Sequence, residues 1–408
     1  MQLTQFKALE KHLGEFVEQF CELFGRSERR YRCKQYLTGL LLDGERKSIE
    51  PMADRVAGAD AQALQQFVNQ SPWAHSSVQM SLARLMLRRR IGQPAVLVLD
   101  DTTLPKQGKC SVGVAHQYCG ALGKVANCQA IVTWHYADRQ SHFPLLGQLY
   151  LPQTWVADGE RMQRAGIPAE HQFFQEKWKL ALDLLDEIAP EVAAEAVVCD
   201  AGYGEIKEFL HELDARQYVF VAQIPESHSF WPAEIAVTTA VQATGRPRQF
   251  PTVADPGAQP LRARQWREQL EREGRKWCKV RLPLQQPKTI EVLAVRVRET
   301  ITQAWRRPGV ERWLLIERLS DGTVKYYLSN AGRRASVRQM MRWAHERWKV
   351  EQGYQQLKEE LGLDHFEGRS WRGLHHHLTL CFMAYDFLQL MKRGKKKSNG
   401  HYHRSGGG

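Results

Sequence analysis

Three acidic residues occupy positions at which regular structure would bring them together. Asp100 ends the apolar run AVLVLD, Asp200 ends EAVVCD, and Glu351 lies in a stretch with helical periodicity. Because ligand sites of α/β sheets gather at the strand ends, we expect the two aspartates to be neighbours. Carboxylate oxygens suit hard cations, and two Mg²⁺ or Mn²⁺ ions would neutralise the repulsion among three such groups. A pair of ions held in this way cleaves phosphodiester bonds.

Two neighbouring features refine this hypothesis. Asp101 competes for the first position, but Asp100 is preferred because it terminates the uninterrupted strand, whereas Asp101 belongs to the loop DTTLPKQGK. Arg347 lies four residues before Glu351 and Lys358 lies seven residues after it, so that one α-helix would present all three on the same face.

The charge of the chain favours a polyanionic partner. Lys and Arg number 57 against 45 Asp and Glu, a formal net charge of +12, and such a field commonly neutralises nucleic-acid phosphates. Basic clusters at 26–34 and 84–90 are either contacts with a DNA backbone or the solvated faces of helices. Near the acids we expect DNA contacts from three further lysines: Lys106, Lys109 and Lys124.

Residue spacing argues against several other kinds of site. The eight cysteines include no C-x-x-C pair, as a zinc ribbon or a thioredoxin would require. Consecutive residues on a helix point about 100° apart, so that His375, His376 and His377 cannot converge on zinc. The lysine-rich loop lacks the order G-x-x-x-x-G-K-[ST] of an ATP-binding loop. No stretch approaches 18 apolar residues, and no membrane partner is expected.

The apolar periodicity predicts an α/β fold: a ribonuclease H-like catalytic core with a β-rich insertion, preceded by an all-helical N-terminal domain. After Pro94 the predicted elements follow the order βββαβαβ, with Asp100 after the first strand and Asp200 after the fourth. The predicted domains are a helical DNA-binding domain (1–92), the first part of the core (93–224), the β-rich insertion (225–332), the second part of the core with the Glu351 helix (333–392) and a basic C-terminal tail (393–408).

The residues around Glu351 resemble a known signature. The pattern R-x3-E-x6-K is similar to the YREK signature of bacterial insertion-sequence transposases with a DDE site, in the branch whose core carries a β-rich insertion. The blocks VLDDTTLPKQGKCSVGVAHQYCGALGKVANCQ, VVCDAGYG and GLDHFEGRSWRGLHHHLTL resemble the insertion-sequence family numbered 701. ERKSIEPMADR and QQFVNQSPW resemble the N-terminal region of that family, so that the resemblance covers nearly the whole chain. The signature tyrosine falls on Ala344, and Trp348 and Tyr354 are the nearby candidates for its role.

The resemblance implies a bacterial, cytoplasmic, nucleoid-associated transposase. Such a protein binds the terminal inverted repeats of its element as a homodimer, cuts both strands of double-stranded DNA and joins the 3′ ends to target DNA. Asp100, Asp200 and Glu351 would be its metal ligands, and Arg347 and Lys358 would hold phosphates of the transposon end. Relatives in the wider branch stack a flipped base on an aromatic residue of the insertion, for which the candidates are Trp266, Trp277, Trp305 and Trp313.

Two alternative functions remain. One is a non-catalytic DNA-binding protein derived from a transposase, which the presence of all three acids disfavours. The other is a metal-dependent nuclease of the same fold without strand transfer. The sequence does not separate cleavage from joining, because water and a 3′-hydroxyl act in the same in-line displacement.

Overall fold

The structure of the chain, a computed structural model, describes residues 3–90, 93–238, 251–282, 288–301 and 307–400. The chain divides into two compact units. The first unit comprises residues 1–93, 99–193 and 348–408, and the second comprises residues 94–98 and 194–347.

The first unit begins with helices, as the spacing of its apolar residues predicts. Phe16, Leu37 and Leu40 lie on their buried faces. Asp60 caps one helix by accepting a hydrogen bond of 2.7 Å from the backbone N–H of Ala63. The helices are α1 (Leu3–Glu18), α2 (Cys21–Phe24), α3 (Ser27–Leu41), α4 (Ile49–Arg55), α5 (Ala61–Asn69) and α6 (His75–Arg88).

Four strands follow where the sequence predicts three. They are β1 (Ala95–Pro105), β2 (Ala115–Cys119), β3 (Lys124–Asp138) and β4 (His142–Leu149). Both β2 and β4 pair antiparallel with β3, with Tyr118 opposite Val125 and Leu146 opposite Trp134. Strand β2 was not predicted because its residues, AHQYC, show no regular alternation of apolar and polar side chains.

Helices α7 (Gln153–Val156), α8 (Gly159–Ala165) and α9 (Lys177–Ile188) complete this part of the first unit. Helix α9 begins at Lys177, after a separate 3₁₀ turn, Ala169–His171. The indole Nε1 of Trp134 donates a hydrogen bond of 2.7 Å to the carbonyl oxygen of Ala181, which fixes α9 against β3.

The second unit opens with elements of the predicted order. They are β5 (Ala196–Cys199), α10 (Ala201–Gly204), α11 (Lys207–Ala215) and β6 (Phe220–Ile224). Strands β5 and β6 are parallel, with Val198 opposite Val221. The backbone N–H of Glu195 donates a hydrogen bond of 2.7 Å to the carbonyl oxygen of Ala95, so that the first residues of β1 lie beside β5.

The β-rich insertion continues the sheet of the second unit. Its elements are β7 (Ser229–Pro232), β8 (Val237–Thr238), β9 (Thr252–Val253), β10 (Leu261–Arg262), α12 (Ala263–Arg272), β11 (Cys278–Leu282), β12 (Lys288–Thr300), β13 (Pro308–Arg318) and β14 (Val324–Ser329). Strand β14 pairs antiparallel with β6, with Tyr326 opposite Ile224, and the strand order is β10-β7-β12-β13-β14-β6-β5. Asp321-Gly322, a dipeptide that favours hairpin turns, lies between β13 and β14, and Gly322 has a φ of 86°.

Three helices end the chain where the sequence suggests continuous helix. Helix α13 (Val337–Glu346) belongs to the second unit, and α14 (Trp348–Glu359) and α15 (Trp371–Gly400) belong to the first. The predicted basic tail begins inside α15, which continues to Gly400.

The division into units differs from the predicted domains. Residues 1–92 were expected to form a domain of their own, but the N-terminal helices share a core with α15. The Tyr36 hydroxyl lies 2.8 Å from Nδ1 of His377, and the Trp73 ring stacks on His376 with ring centroids 3.6 Å apart. These helices bury their apolar faces against α15, and this contact joins them to the first unit.

The predicted fold class is confirmed: the chain is a mixed α/β protein with a large mixed sheet and an N-terminal helical region. In the first unit β1 is followed in the sheet by β3 and β4, and in the second by β5 and β6, which is the strand order of a ribonuclease H-like core. Among the residues described here, no helix is both long and apolar enough to cross a lipid bilayer.

Candidate active site

Strand β1 carries the first acidic residue in its interior. The strand was expected to end at Asp100, but it continues to Pro105, because Thr102 and Thr103 are β-branched and Leu104 is buried. Asp101 therefore also lies in the strand and not in a loop. The Asp100 side chain is buried, with 7% of its surface exposed, and its Oδ1 accepts a hydrogen bond of 2.8 Å from the backbone N–H of Asp101.

The two aspartates point to opposite faces of the sheet, because side chains alternate along a strand. Asp101 forms an ion pair of 2.5 Å with Lys177, the first residue of α9. Helix α9 packs on the face of β3 that carries Trp134. Asp101 is thus engaged on the α9 face, and Asp100 belongs to the other face.

Helix α14 covers the face that carries Asp100. The Tyr354 hydroxyl bonds to Oγ1 of Thr133 on β3, and Thr133 Oγ1 donates a hydrogen bond of 3.2 Å to the carbonyl oxygen of Asp100. Thr133 precedes Trp134 and therefore faces away from α9. Hydrogen bonds through Thr133 accordingly connect α14 to the backbone of Asp100.

Glu351 lies on the side of α14 that faces these strands. It precedes Tyr354 by three residues and Lys358 by seven, and such residues share one helix face. The Lys358 ammonium donates a hydrogen bond of 3.0 Å to the carbonyl oxygen of Thr103 on β1. Glu351 itself is exposed to solvent. The first unit thus places an exposed carboxylate and a buried one on a helix and a strand that are bonded together.

Glycine is required at one position of this contact. A Cβ atom at Gly353 would overlap the imidazole Nε2 of His142 on β4. The absence of a side chain lets α14 approach β4 closely, and the turn of helix that carries Glu351 depends on this approach.

Arg347 does not share a helix with Glu351. It is the single turn residue between α13 and α14 and keeps helical angles, with φ −57° and ψ −34°. Helix α13 packs on strands of the second unit and α14 packs on β3 and β4, so that the predicted continuous helix is interrupted where the chain passes between units. Arg347 is half-buried.

Asp200 lies directly after β5, as predicted, in the second unit. It caps α10, because its Oδ1 accepts a hydrogen bond of 3.2 Å from the backbone N–H of Tyr203. A Cβ atom at Gly204 would overlap the carbonyl oxygen of Gln223, so that glycine is needed for α10 to lie against β6. These contacts fix the position of the Asp200 carboxylate at the end of its strand.

Lys106 and Lys358, which are predicted to bind DNA, make internal hydrogen bonds. Lys106 donates hydrogen bonds of 2.7 Å and 3.3 Å to the carbonyl oxygens of Phe366 and Asp364. Burial lowers the pKa of Lys106 and of Lys358, and nearby carboxylates oppose both shifts. Lys109 and Lys124 are exposed. Lys106 and Lys358 are predicted to contact DNA phosphates, and in the structure both ammonium groups bond to main-chain carbonyl oxygens.

The three positions considered for the signature tyrosine differ in environment. Ala344 is buried, and the Trp348 side chain is 55% exposed. Tyr354 is buried and bonds to Thr133. Tyr354 is therefore the tyrosine that contacts the strands beside Asp100. Sequence reasoning missed Thr133 and Lys177, because neither stands in a motif and both act through neighbours distant in sequence.

The basic clusters of the N-terminal helices are partly paired within the first unit. Arg30 pairs with Glu18 at 2.8 Å, Lys34 with Glu10 at 3.1 Å and Arg84 with Glu191 at 2.9 Å. Exposed pairs of this kind stabilise a fold little and exchange partners readily. Arg90 is different, because it is buried and paired with Asp138. Arg88 and Arg89 are exposed.

The tryptophans of the insertion are mostly packed. Trp266 is buried, and its Nε1 donates a hydrogen bond of 3.3 Å to the carbonyl oxygen of Phe230. The guanidinium of Arg318 lies 4.3 Å from the ring centroid of Trp277. Trp313 is half-buried, and Arg296 lies 4.9 Å from its ring centroid. Trp305 lies outside the described residues.

The three consecutive histidines contact different neighbours. A ring nitrogen of His375 lies 2.9 Å from the carbonyl oxygen of Trp371, one of His376 lies 2.9 Å from that of Trp73, and one of His377 lies 3.0 Å from that of Gly362. Within the described ranges, no group of three or more His, Cys, Asp or Glu side chains is arranged to hold a metal ion.

The acidic residues nevertheless suit a divalent cation. Asp100 and Asp200 each fix one carboxylate oxygen through a backbone N–H, and hydrogen-bonded carboxylates are oriented oxygen ligands for Mg²⁺ or Mn²⁺. Glu351 adds a third carboxylate, on α14 of the first unit, and carboxylate oxygens of this kind suit hard divalent cations.

Comparison with protein families makes the identification specific. Residues 19–276 match the family described as "DDE superfamily endonuclease", and residues 177–387 match "Transposase DDE domain". The chain belongs to the DDE transposase family, whose members generally use divalent metal ions. The family resemblance predicted from the sequence is confirmed.

Two individual proteins are similar to parts of this chain. "Probable transposase for insertion sequence element IS701" from Microchaete diplosiphon is 26% identical over 220 residues, which cover 52% of this chain and 55% of that protein. The chain thus spans about half the length of this curated relative. The crystal structure of the NurA nuclease from Sulfolobus solfataricus matches 64% of this chain and 79% of its own, at 10% identity and a TM-score of 0.26. A TM-score of this size does not establish a shared fold.

Proposed function

We propose that this chain is a transposase that binds the terminal inverted repeats of its insertion sequence, cleaves the DNA there and joins the 3′ ends to target DNA. The chain belongs to the DDE family, and one observation carries this proposal within it. Helix α14, which bears Glu351, is hydrogen-bonded to the face of β1 that bears Asp100. A buried strand carboxylate and a carboxylate on the covering helix are two of the three acids that such chemistry needs.

Asp100, Asp200 and Glu351 are the proposed ligands of two Mg²⁺ or Mn²⁺ ions. When bound, the ions activate the attacking hydroxyl and stabilise the leaving oxygen. Tyr354 and Lys358 position the helix on the strand. Cleavage and joining use the same acids, with water as the nucleophile in the first and a 3′-hydroxyl in the second.

The proposed DNA contacts come from basic residues that reach solvent. They are Lys109 and Lys124 beside β1, the half-buried Arg347, and Arg88 and Arg89 at the end of α6. A homodimer is proposed for the form that acts on DNA, because an element has two ends that must be cut together.

The test uses purified full-length chain and labelled duplexes taken from the two flanks of its coding sequence, here called end duplexes. After incubation with Mg²⁺, a denaturing gel resolves nicked, hairpin and joined products. Joined products are expected in the wild type and in Asp101→Asn, which alters the acid on the α9 face. They should be absent in Asp100→Asn.

Three other results would contradict the proposal in different ways. Cleavage without any joined product would identify a nuclease. A retarded complex without cleavage would identify a non-catalytic DNA-binding protein. Failure to bind either end duplex in preference to an unrelated duplex would remove the assignment to element ends.

A further inference from the structure

The hairpin formed by β2 and β3 exposes large apolar side chains. Tyr118 is 66% exposed, Val125 directly opposite it is 55% exposed, and Leu122 in the connecting turn is 49% exposed. Of the nine large hydrophobic side chains exposed in the described part of the chain, these are three. Such a concentration marks an interaction surface, because single exposed apolar residues are ordinary but clusters are not.

The tip of this hairpin is held beside the strand that carries Asp100. The backbone N–H of Ala121 donates a hydrogen bond of 3.3 Å to Oγ1 of Thr103, and Sγ of Cys119 lies 3.5 Å from the same oxygen. Thr103 follows Asp100 by three residues, roughly 10 Å along the strand. One side of the tip is therefore fixed to β1, while Tyr118 and Leu122 remain open to solvent.

The charge around the hairpin complements a polyanion. No Asp or Glu occurs between Asp101 and Asp138, and this stretch contains the exposed residues Lys109 and Lys124. Lys124 is the first residue of β3 and lies opposite Cys119. A partner protein would be expected to present acidic as well as apolar side chains to the hairpin. DNA presents phosphates beside the apolar walls of its minor groove.

We propose that the β2–β3 hairpin is a DNA wedge, in which Leu122 inserts into the minor groove about three base pairs from the cleaved bond. Tyr118 and Val125 pack against the sugars, and Lys124 contacts a phosphate. Architectural proteins use apolar side chains in this way to open a base step and bend the duplex. This inference rests on the proposed function, because it takes the DNA held at Asp100 and Glu351 as the ligand.

The position of the tip sets where the contact falls. A displacement of roughly 10 Å corresponds to about three base pairs of duplex. The wedge is therefore expected to distort the DNA about three base pairs from the scissile bond, at a place distinct from the cleaved phosphate itself.

The test compares hairpin variants of the full chain on the end duplexes, by hydroxyl-radical footprinting and by binding titration. Tyr118→Ala/Leu122→Ala should bind about tenfold more weakly, the loss expected for one stacked or inserted side chain. It should also lose protection about three base pairs from the cut. Phe173→Ala, which removes an exposed aromatic residue between the Ala169–His171 turn and α9, should match the wild type. Lys124→Ala should lower the salt dependence of binding by about one ion.

Other outcomes overturn the inference. If the double variant binds and protects DNA as the wild type does, the hairpin is no wedge. If the footprint of the double variant is unchanged, but the double variant is a monomer without DNA where the wild type is a dimer, the hairpin docks on a second copy of the chain. Neither result affects cleavage by the wild type, so that the proposed function would stand. A wild type that neither binds nor cuts the end duplexes would overturn the proposed function and this inference together. Substitutions of exposed side chains should leave the melting temperature unchanged. If the double variant melts at a lower temperature than the wild type, Leu122→Gln takes its place in the same measurements.

Discussion

Lys358 on α14 donates a hydrogen bond of 3.0 Å to the carbonyl oxygen of Thr103 on β1. The same helix carries Glu351 and the same strand carries Asp100. The resemblance to transposases implied that this lysine holds a phosphate of the DNA end. In the structure its ammonium joins two elements, and burial lowers its pKa, although the carboxylates of Asp364 and Asp100 oppose the shift.

Replacing Lys358 should therefore cost stability. We expect Lys358→Met to lower the free energy of unfolding by about 1–3 kcal/mol, because the Thr103 carbonyl loses its charged donor and the apolar stem is kept. Urea unfolding measures this loss, and Lys124→Met, which changes an exposed lysine of the same unit, is the control. Unchanged stability in Lys358→Met combined with weaker binding of the end duplexes would instead support a phosphate contact.

Arg90 belongs to the basic cluster 84–90, but it is buried and paired with Asp138, unlike the exposed Arg88 and Arg89. Their side chains are 3% and 5% exposed. Arg90→Gln leaves a buried carboxylate without its partner and should destabilise the fold by about 3–5 kcal/mol. Arg88→Gln and Arg89→Gln should melt as the wild type does.

The same variants test the proposed contact of α6 with DNA. Each of Arg88→Gln and Arg89→Gln should reduce the slope of log affinity against log salt by about one. A slope that both variants leave unchanged would place the basic contacts elsewhere.

A second buried pair stabilises the second unit. The Glu299 carboxylate lies 2.7 Å from Nε of Arg312 and 2.7 Å from Nε2 of His211. Burial by itself would raise the pKa of Glu299, but the bonds from His211 and Arg312 outweigh burial and lower it. Glu299→Gln should destabilise the protein by about 1–3 kcal/mol, because buried Arg312 then loses one of its two carboxylate partners and keeps only Asp214.

The cost of Glu299→Gln should depend on pH. The lowered pKa of Glu299 means that its contribution is present above its unfolded pKa of about 4.3 and is lost as pH falls through the folded pKa. The pKa of His211 is raised by its hydrogen bond to Glu299, so that its contribution is present below about 6.5 and is lost as pH rises through the folded pKa. Unfolding curves should show a larger loss near about pH 5.5 than near about pH 8.5. Equal losses at both values would contradict the role of His211.

Local patterns predict much of the fold. The apolar runs after Pro94 and before Asp200 predict β1 and β5, and Asp321-Gly322 predicts the turn between β13 and β14. These features depend on neighbours in sequence, which are visible in the chain itself.

The remaining features depend on contacts between distant residues. The preference for Asp100 over Asp101 assumes that the strand ends at Asp100, but β1 continues to Pro105, and the ion pair of Asp101 with Lys177 joins residues far apart in sequence. The interruption at Arg347 follows from the packing of two helices on different strands, which no local pattern records.

The central claim is that Asp100, Asp200 and Glu351 carry out DNA cleavage, and it is tested most directly by single-turnover cleavage of an end duplex with Mg²⁺. Asp100→Asn, Asp200→Asn and Glu351→Gln should each slow cleavage more than about a hundredfold while the retarded complex persists, because one metal ligand is lost and few phosphate contacts change. Asp101→Asn should cleave at a rate close to that of the wild type. Cleavage by Asp100→Asn together with its loss in Asp101→Asn would contradict the assignment, and normal cleavage by all three acid variants would contradict the enzyme itself.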